Sequence, residues 1–212
     1  RLAFGDVNND GAVDVLVGTR RGTFDYYERS GSDLIRMTGS NNPFDGIPFE
    51  NAEYRAWIHG WLAPALEDVT MDGQVDLVVG YKGENPEPLY FVGSNNGATW
   101  TYDDSLDRPF NLAIGRGNRD YECAPFFVDT DNDGDRDFFY ACNTVLYGVE
   151  NLGGLLYQPV DDGFVPPPLN SDVFLSLAFW IEDASKGVVS ALVGDMWEGS
   201  AFALNEKTPY EF

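Results

Sequence analysis

Asp6-Val7-Asn8-Asn9-Asp10-Gly11-Ala12-Val13-Asp14 puts oxygen-bearing side chains at positions 1, 3, 5 and 9 of a turn whose sixth residue is glycine. Short carboxylates on alternate residues of a tight turn converge on one point. A hard divalent cation wants six to eight such oxygens, and the backbone carbonyl of Ala12 at position 7 adds one more. The sharp bend at position 6 needs a glycine. The spacing returns as Asp68, Thr70, Asp72, Gly73, Gln74 and Asp76, and in its most acidic form as Asp129, Asp131, Asp133, Gly134, Asp135 and Asp137. Asp, Asn and Gly also form turns without any metal. Three loops in one register, each followed by the same kind of segment, favour calcium, one ion per loop and up to three in all.

The residues after each loop exclude a helical calcium motif. Position 12 is Val17, Val79 or Tyr140, where an EF-hand needs a bidentate Glu. The loops lead instead into Val13–Gly18, Val75–Gly80 and Asp137–Ala141, apolar runs rich in β-branched or aromatic residues that read as strands. The cation would therefore lie in a β-hairpin turn.

The loops also measure a repeat. Asp68 follows Asp6 by 62 residues, and Asp129 follows Asp68 by 61. A fourth, degenerate copy aligns Gly187 with Gly11, Gly73 and Gly134, but Ala184, Lys186 and Ser190 then occupy ligand positions. No metal is expected there, because Lys186 would put an ammonium where the cation belongs. Each unit reads as an apolar strand (Leu2–Phe4, Trp57–Leu66, Cys123–Val128, Phe174–Ile181), the loop, a second strand, and an aromatic third strand at Thr23–Glu28, Leu89–Val92, Leu146–Glu150 or Ala201–Leu204. A short fourth strand follows at Leu34–Met37, Thr99–Tyr102 and Leu155–Tyr157, and no helical period is sustained anywhere. The units run over about 1–47, 48–112, 113–169 and 170–212. A four-stranded sheet cannot cover both of its faces alone, so the expected fold is all-β: a β-propeller of stacked four-stranded antiparallel blades, about four visible, either a compact ring or part of a larger one.

Phe4–Gly18, Glu67–Gly80 and Asp129–Asp137 resemble FG-GAP/VCBS repeats, the units of the integrin alpha-type propeller. The resemblance covers nearly the whole chain, with three good motifs and one broken one. It implies calcium between the first two strands of a blade and a ring used for adhesion, recognition or scaffolding. It says little about the partner, because function lives in sites grafted on a fold.

The formal charge of -22 falls to about -16 with three calcium ions bound. The remaining acidity disfavours nucleic acid and anionic membranes as partners. No apolar run is long enough to span a bilayer as a helix, so direct membrane insertion is not expected of this segment. The opening Arg1-Leu2-Ala3-Phe4-Gly5 runs straight into a loop and reads as part of something longer. Cys123 and Cys142 flank the third loop almost symmetrically, consistent with a disulfide or with two buried thiols. A bridge would imply an oxidising compartment, and the expected location is extracellular or lumenal.

An enzymatic role finds little support. The single histidine, His59, lies in the apolar stretch Trp57–Leu62, and there is no nucleophile elbow or phosphate-binding glycine loop. Tyr26, Tyr27, Trp57, Trp61, Trp100, Trp180 and Trp197 are expected to pack between sheets; rings on a rim would instead stack on sugars or anchor a protein. The Pro166-Pro167-Pro168 run reads as a stiff connector. The leading expectation is a non-catalytic, calcium-stabilised scaffold that binds a protein, an extrinsic subunit of a larger assembly being one form. A lectin-like, carbohydrate-binding propeller comes second, and a polysaccharide-acting enzyme a distant third.

Overall fold

The computed structural model describes residues 1–47, 61–84, 87–103, 120–129, 133–142, 145–153, 156–159, 176–183, 188–194 and 201–203. The chain divides into two compact units, Arg1–Pro125 and Phe126–Phe212. Both are built from antiparallel strands. Among the described residues the only helical pieces are two single 3-10 turns, Gly39–Asn41 and Pro43–Gly46, and no helix is long and apolar enough to cross a membrane.

The first unit opens with a four-stranded sheet in chain order: β1 (Leu2–Gly5), β2 (Asp14–Gly18), β3 (Phe24–Ser30) and β4 (Asp33–Met37). Loop 1 joins β1 to β2. A strand alternates its side chains across the sheet, so the apolar residues at every second position make one covered face. Ala3, Leu16 and Tyr26 form that face. The second sheet has the same order, made of β5 (Ala63–Glu67), β6 (Asp76–Gly80), β8 (Leu89–Ser94) and β9 (Thr99–Tyr102). A short strand not foreseen in the sequence, β7 (Lys82–Glu84), interrupts the path from β6 to β8 and pairs with the start of β10 (Asp120–Val128).

Sheets 1 and 2 stack to form one core, in which Ala3, Leu16 and Tyr26 meet Leu66, Leu77 and Phe91. Gly18 sets the distance between them. A Cβ there would lie 2.2 Å from the Leu62 carbonyl oxygen, and Gly80 stands in the same relation to Cys123 at 2.3 Å. The segment Asn42–Ile47 seals the outer end. Asn42 donates to the Phe24 carbonyl and accepts from the Phe44 N–H, and the Phe44 ring inserts between Tyr26 and Trp100. Trp100 is therefore packed between sheets, as expected for that group of aromatics.

In the second unit β11 (Asp137–Cys142), β12 (Val145–Asn151) and β13 (Tyr157–Pro159) pair in order, as do β14 (Ser176–Asp183), β15 (Val188–Gly194) and β16 (Ala201–Ala203). Several strand bounds differ from the sequence reading. The first strand of the second repeat begins at Ala63, because Trp61 adopts a left-handed backbone that no strand accommodates. The last strand of the third repeat starts at Tyr157 rather than Leu155, after a turn at Gly153. Both cysteines are disulfide-bonded, which decides between the bridge and the free thiols. Trp57, His59, Pro166–Pro168, Trp197 and Ala184–Gly187 lie outside the described residues.

Candidate metal loops and their anchors

Each loop is held by its own carboxylates. In loop 1, Asp6 accepts from the N–H groups of Asp10 (3.0 Å) and Gly11 (2.7 Å), and Asp10 accepts from Ala12 N–H at 2.8 Å. Asn8 accepts from Asp10 N–H and donates through its amide to the Asp10 carboxylate. Loop 2 repeats the pattern. Asp68 accepts from Asp72 N–H at 3.0 Å and Gly73 N–H at 2.8 Å, and Asp72 accepts from Gln74 N–H. In loop 3, Asp129 accepts from Gly134 N–H and Asp133 from Asp135 N–H. Asp131 lies outside the described residues. These bonds need a left-handed backbone at position 6, and Gly11, Gly73 and Gly134 have φ of +88, +86 and +98°. In loops 1 and 2 position 4 is left-handed too. Asn9 takes φ 57° easily, whereas Met71 takes the same value at a cost of about 1 kcal/mol.

Position 9 behaves differently from the rest of the loop. Asp14, Asp76 and Asp137 are the first residues of β2, β6 and β11, and all three are buried. Asp14 accepts from Val7 N–H, from the Tyr26 hydroxyl at 2.8 Å and from Arg29 N–H at 2.8 Å. Asp76 accepts from Thr70 N–H, from the Tyr90 hydroxyl at 2.9 Å and from Gly93 N–H at 2.9 Å. One carboxylate thus ties the loop backbone to the third strand of its sheet. Asp137 accepts from Asn151 N–H in the same way. Arg29, Gly93 and Asn151 are register equivalents, and three residues before each stand Tyr26, Tyr90 and Gly148. The third repeat therefore has no tyrosine at the position that anchors the first two. Burial raises the Asp76 carboxyl above the usual carboxylate range even though Gly93 N–H, Thr70 N–H and the Tyr90 hydroxyl oppose the shift. Burial, together with the Asp14 carboxylate, pushes the Tyr26 phenol far up, so it stays a donor.

Position 7 adds a second tie. Gln74 accepts from Asn96 N–H at 2.8 Å, so loop 2 grips the β8–β9 turn of its own sheet. Gly97 in that turn (φ 72°) presses on the back of loop 1, where a Cβ would lie 2.3 Å from the Val7 carbonyl oxygen. The sequence reading missed these anchors. A tyrosine three residues before the acceptor of the third strand was visible only as one aromatic among many.

The donors suit a hard cation. They are all oxygen, and Thr70 Oγ1 at position 3 of loop 2 is buried without a hydrogen-bond partner. Their present partners are the N–H groups of their own turns, and among the described residues no three His, Cys, Asp or Glu side chains converge as an ion cage. Of the aromatics expected to pack between sheets, with ligand stacking as the alternative, Tyr26 is committed to Asp14, and the ring face of Trp61 carries the Arg20 guanidinium at 5.1 Å.

No family model and no curated protein matches the chain. Among solved structures, an Agrocybe aegerita lectin that recognises non-reducing terminal N-acetylglucosamine aligns over 96% of this chain at 12% identity, with a TM-score of 0.37. The chain spans 65% of that lectin's length. So loose a superposition says nothing about a shared ligand.

Proposed function

We propose that the chain is a calcium-stabilised stack of propeller blades of the FG-GAP/VCBS type, serving as a non-catalytic scaffold that holds a protein partner. The observation that carries this reading is the recurrence of one loop-to-strand anchor, with a buried aspartate at position 9 in all three repeats. A side chain buried at the foot of a loop fixes the loop relative to the sheet, which suits a rigid platform better than a moving catalytic lid.

Asp6, Asn8, Asp10 and the Ala12 carbonyl would hold the ion in loop 1. Asp68, Thr70, Asp72 and the Gln74 carbonyl would do so in loop 2, and Asp129, Asp131, Asp133 and the Asp135 carbonyl in loop 3. At position 9, Asp14, Asp76 and Asp137 are buried and accept a backbone N–H of the third strand, so beside any part as ligands they hold the loop on its strand. A bound cation supplies positive charge that relieves the repulsion among the loop carboxylates.

The test is a melting curve and metal analysis with and without chelator. At a dissociation constant of about 0.1 mM and roughly 1 mM calcium, each loop contributes on the order of 1.4 kcal/mol. Chelation should therefore lower the melting temperature and release metal; an unchanged curve and unchanged metal content would sink the calcium reading. The scaffold reading fails separately if a glycan array shows reproducible binding to one sugar class, which would make the chain a lectin-like module.

A further inference from the structure

Loops 1 and 2 share one element, the β8–β9 turn at residues 95–98. Its backbone is left-handed at three successive residues, Asn95, Asn96 and Gly97, and it closes with Ala98 N–H on the Asn95 carbonyl. On one side Gln74, at position 7 of loop 2, accepts the Asn96 N–H at 2.8 Å. On the other, Gly97 lies against Val7, which stands between Asp6 and Asn8 of loop 1. A Cβ on Gly97 would be 2.3 Å from the Val7 carbonyl oxygen and 2.7 Å from its Cγ1. Val7 has little room to yield, being buried with its N–H held by Asp14 at 3.1 Å.

Gln74 has two parts to play. Its carbonyl is the position-7 ligand of loop 2, and its side chain holds the turn. A cation that fixes the Gln74 backbone spends in advance part of the freedom the side chain must lose to grip Asn96, and so firms the turn against Val7. Loop 1 has only the Ala12 methyl at this position, so the link runs through Gln74 alone. We propose that the β8–β9 turn couples the two loops: a cation in loop 2 raises the affinity of loop 1 for its own, and the reverse, as linkage requires. This rests on the calcium reading above.

Calcium titration followed by the amide NMR signals of Gly11 and Gly73 tests it, because each N–H belongs to one loop. Asp72→Lys, which puts an ammonium into loop 2, should weaken calcium binding at Gly11 about 3-fold, roughly what one exposed hydrogen bond can transmit. Gln74→Ala, which keeps the carbonyl ligand, should weaken loop 1 by a similar factor and leave the Gly73 midpoint in place. Adding Asp72→Lys to Gln74→Ala should then change Gly11 no further. If both signals respond in the wild type but Gln74→Ala leaves the Gly11 midpoint unmoved, the coupling is overturned and the calcium reading stands. An equal effect of Asp72→Lys with and without Gln74 also overturns it, because charge acting through space would then be the cause. If neither signal responds to calcium, the calcium reading falls and takes the coupling with it.

Discussion

Loops 2 and 3 start alike and are anchored differently. In both, the first aspartate accepts the N–H of the glycine at position 6, and the ninth is buried at the start of a strand. Behind loop 2 the Tyr90 hydroxyl completes the set of donors on Asp76; behind loop 3 the equivalent residue is Gly148. Loop 3 is nevertheless the more acidic, with Asp at positions 1, 3, 5, 7 and 9. The difference that the comparison shows is one hydroxyl: Tyr90 donates to Asp76, and no tyrosine stands at the equivalent position behind loop 3.

Asp76→Ala should show the largest effect. It strands Thr70 N–H, Gly93 N–H and the Tyr90 hydroxyl in a buried site, at a cost of roughly 4 kcal/mol. Denaturant melts with chelator present isolate this from any metal contribution. Asp137→Ala under the same conditions measures the tyrosine's share: a smaller loss credits the Tyr90 hydroxyl, and an equal loss removes it from the explanation. Gly80→Ala should come next, at about 3 kcal/mol, because the new methyl meets the Cys123 carbonyl, which is backbone and cannot swing aside. Gly11→Ala meets no atom, so its cost comes only from its left-handed backbone and should be smaller, about 1 kcal/mol.

Tyr90→Phe and Tyr26→Phe should each cost about 1.5 kcal/mol by removing one hydrogen bond to a buried carboxylate. A sharper readout is the calcium dependence of the melting temperature: under the calcium proposal, loosening the anchor should make loop 2 lean more on metal. Loss of stability with no change in calcium response would break the comparison. The smallest effect, about 0.5 kcal/mol, is expected of Gln74→Ala, which frees the Asn96 N–H to solvent at an exposed site.

Much of this was legible in the chain. The turns at Gly11, Gly73 and Gly134 and the strands that follow them were legible, because turn chemistry and alternation are local. The tyrosine anchors were not, since a hydroxyl meets a carboxylate across a sheet only once the pairing register is known. β7 escaped notice for a related reason: Lys82-Gly83-Glu84 has no strand pattern of its own and is a strand only because β10 lies beside it.

The sequence by itself determined the all-β class and the spacing of the three oxygen-rich loops, which follow from residue type and position. Only the tertiary structure decided that Asp14 and Asp76 face inward to Tyr26 and Tyr90, that the cysteines are bridged, and that sheet 1 covers sheet 2. Those facts depend on which residues from distant parts of the chain meet. Burial and hydrogen bonding are properties of that meeting, and a linear pattern does not contain them.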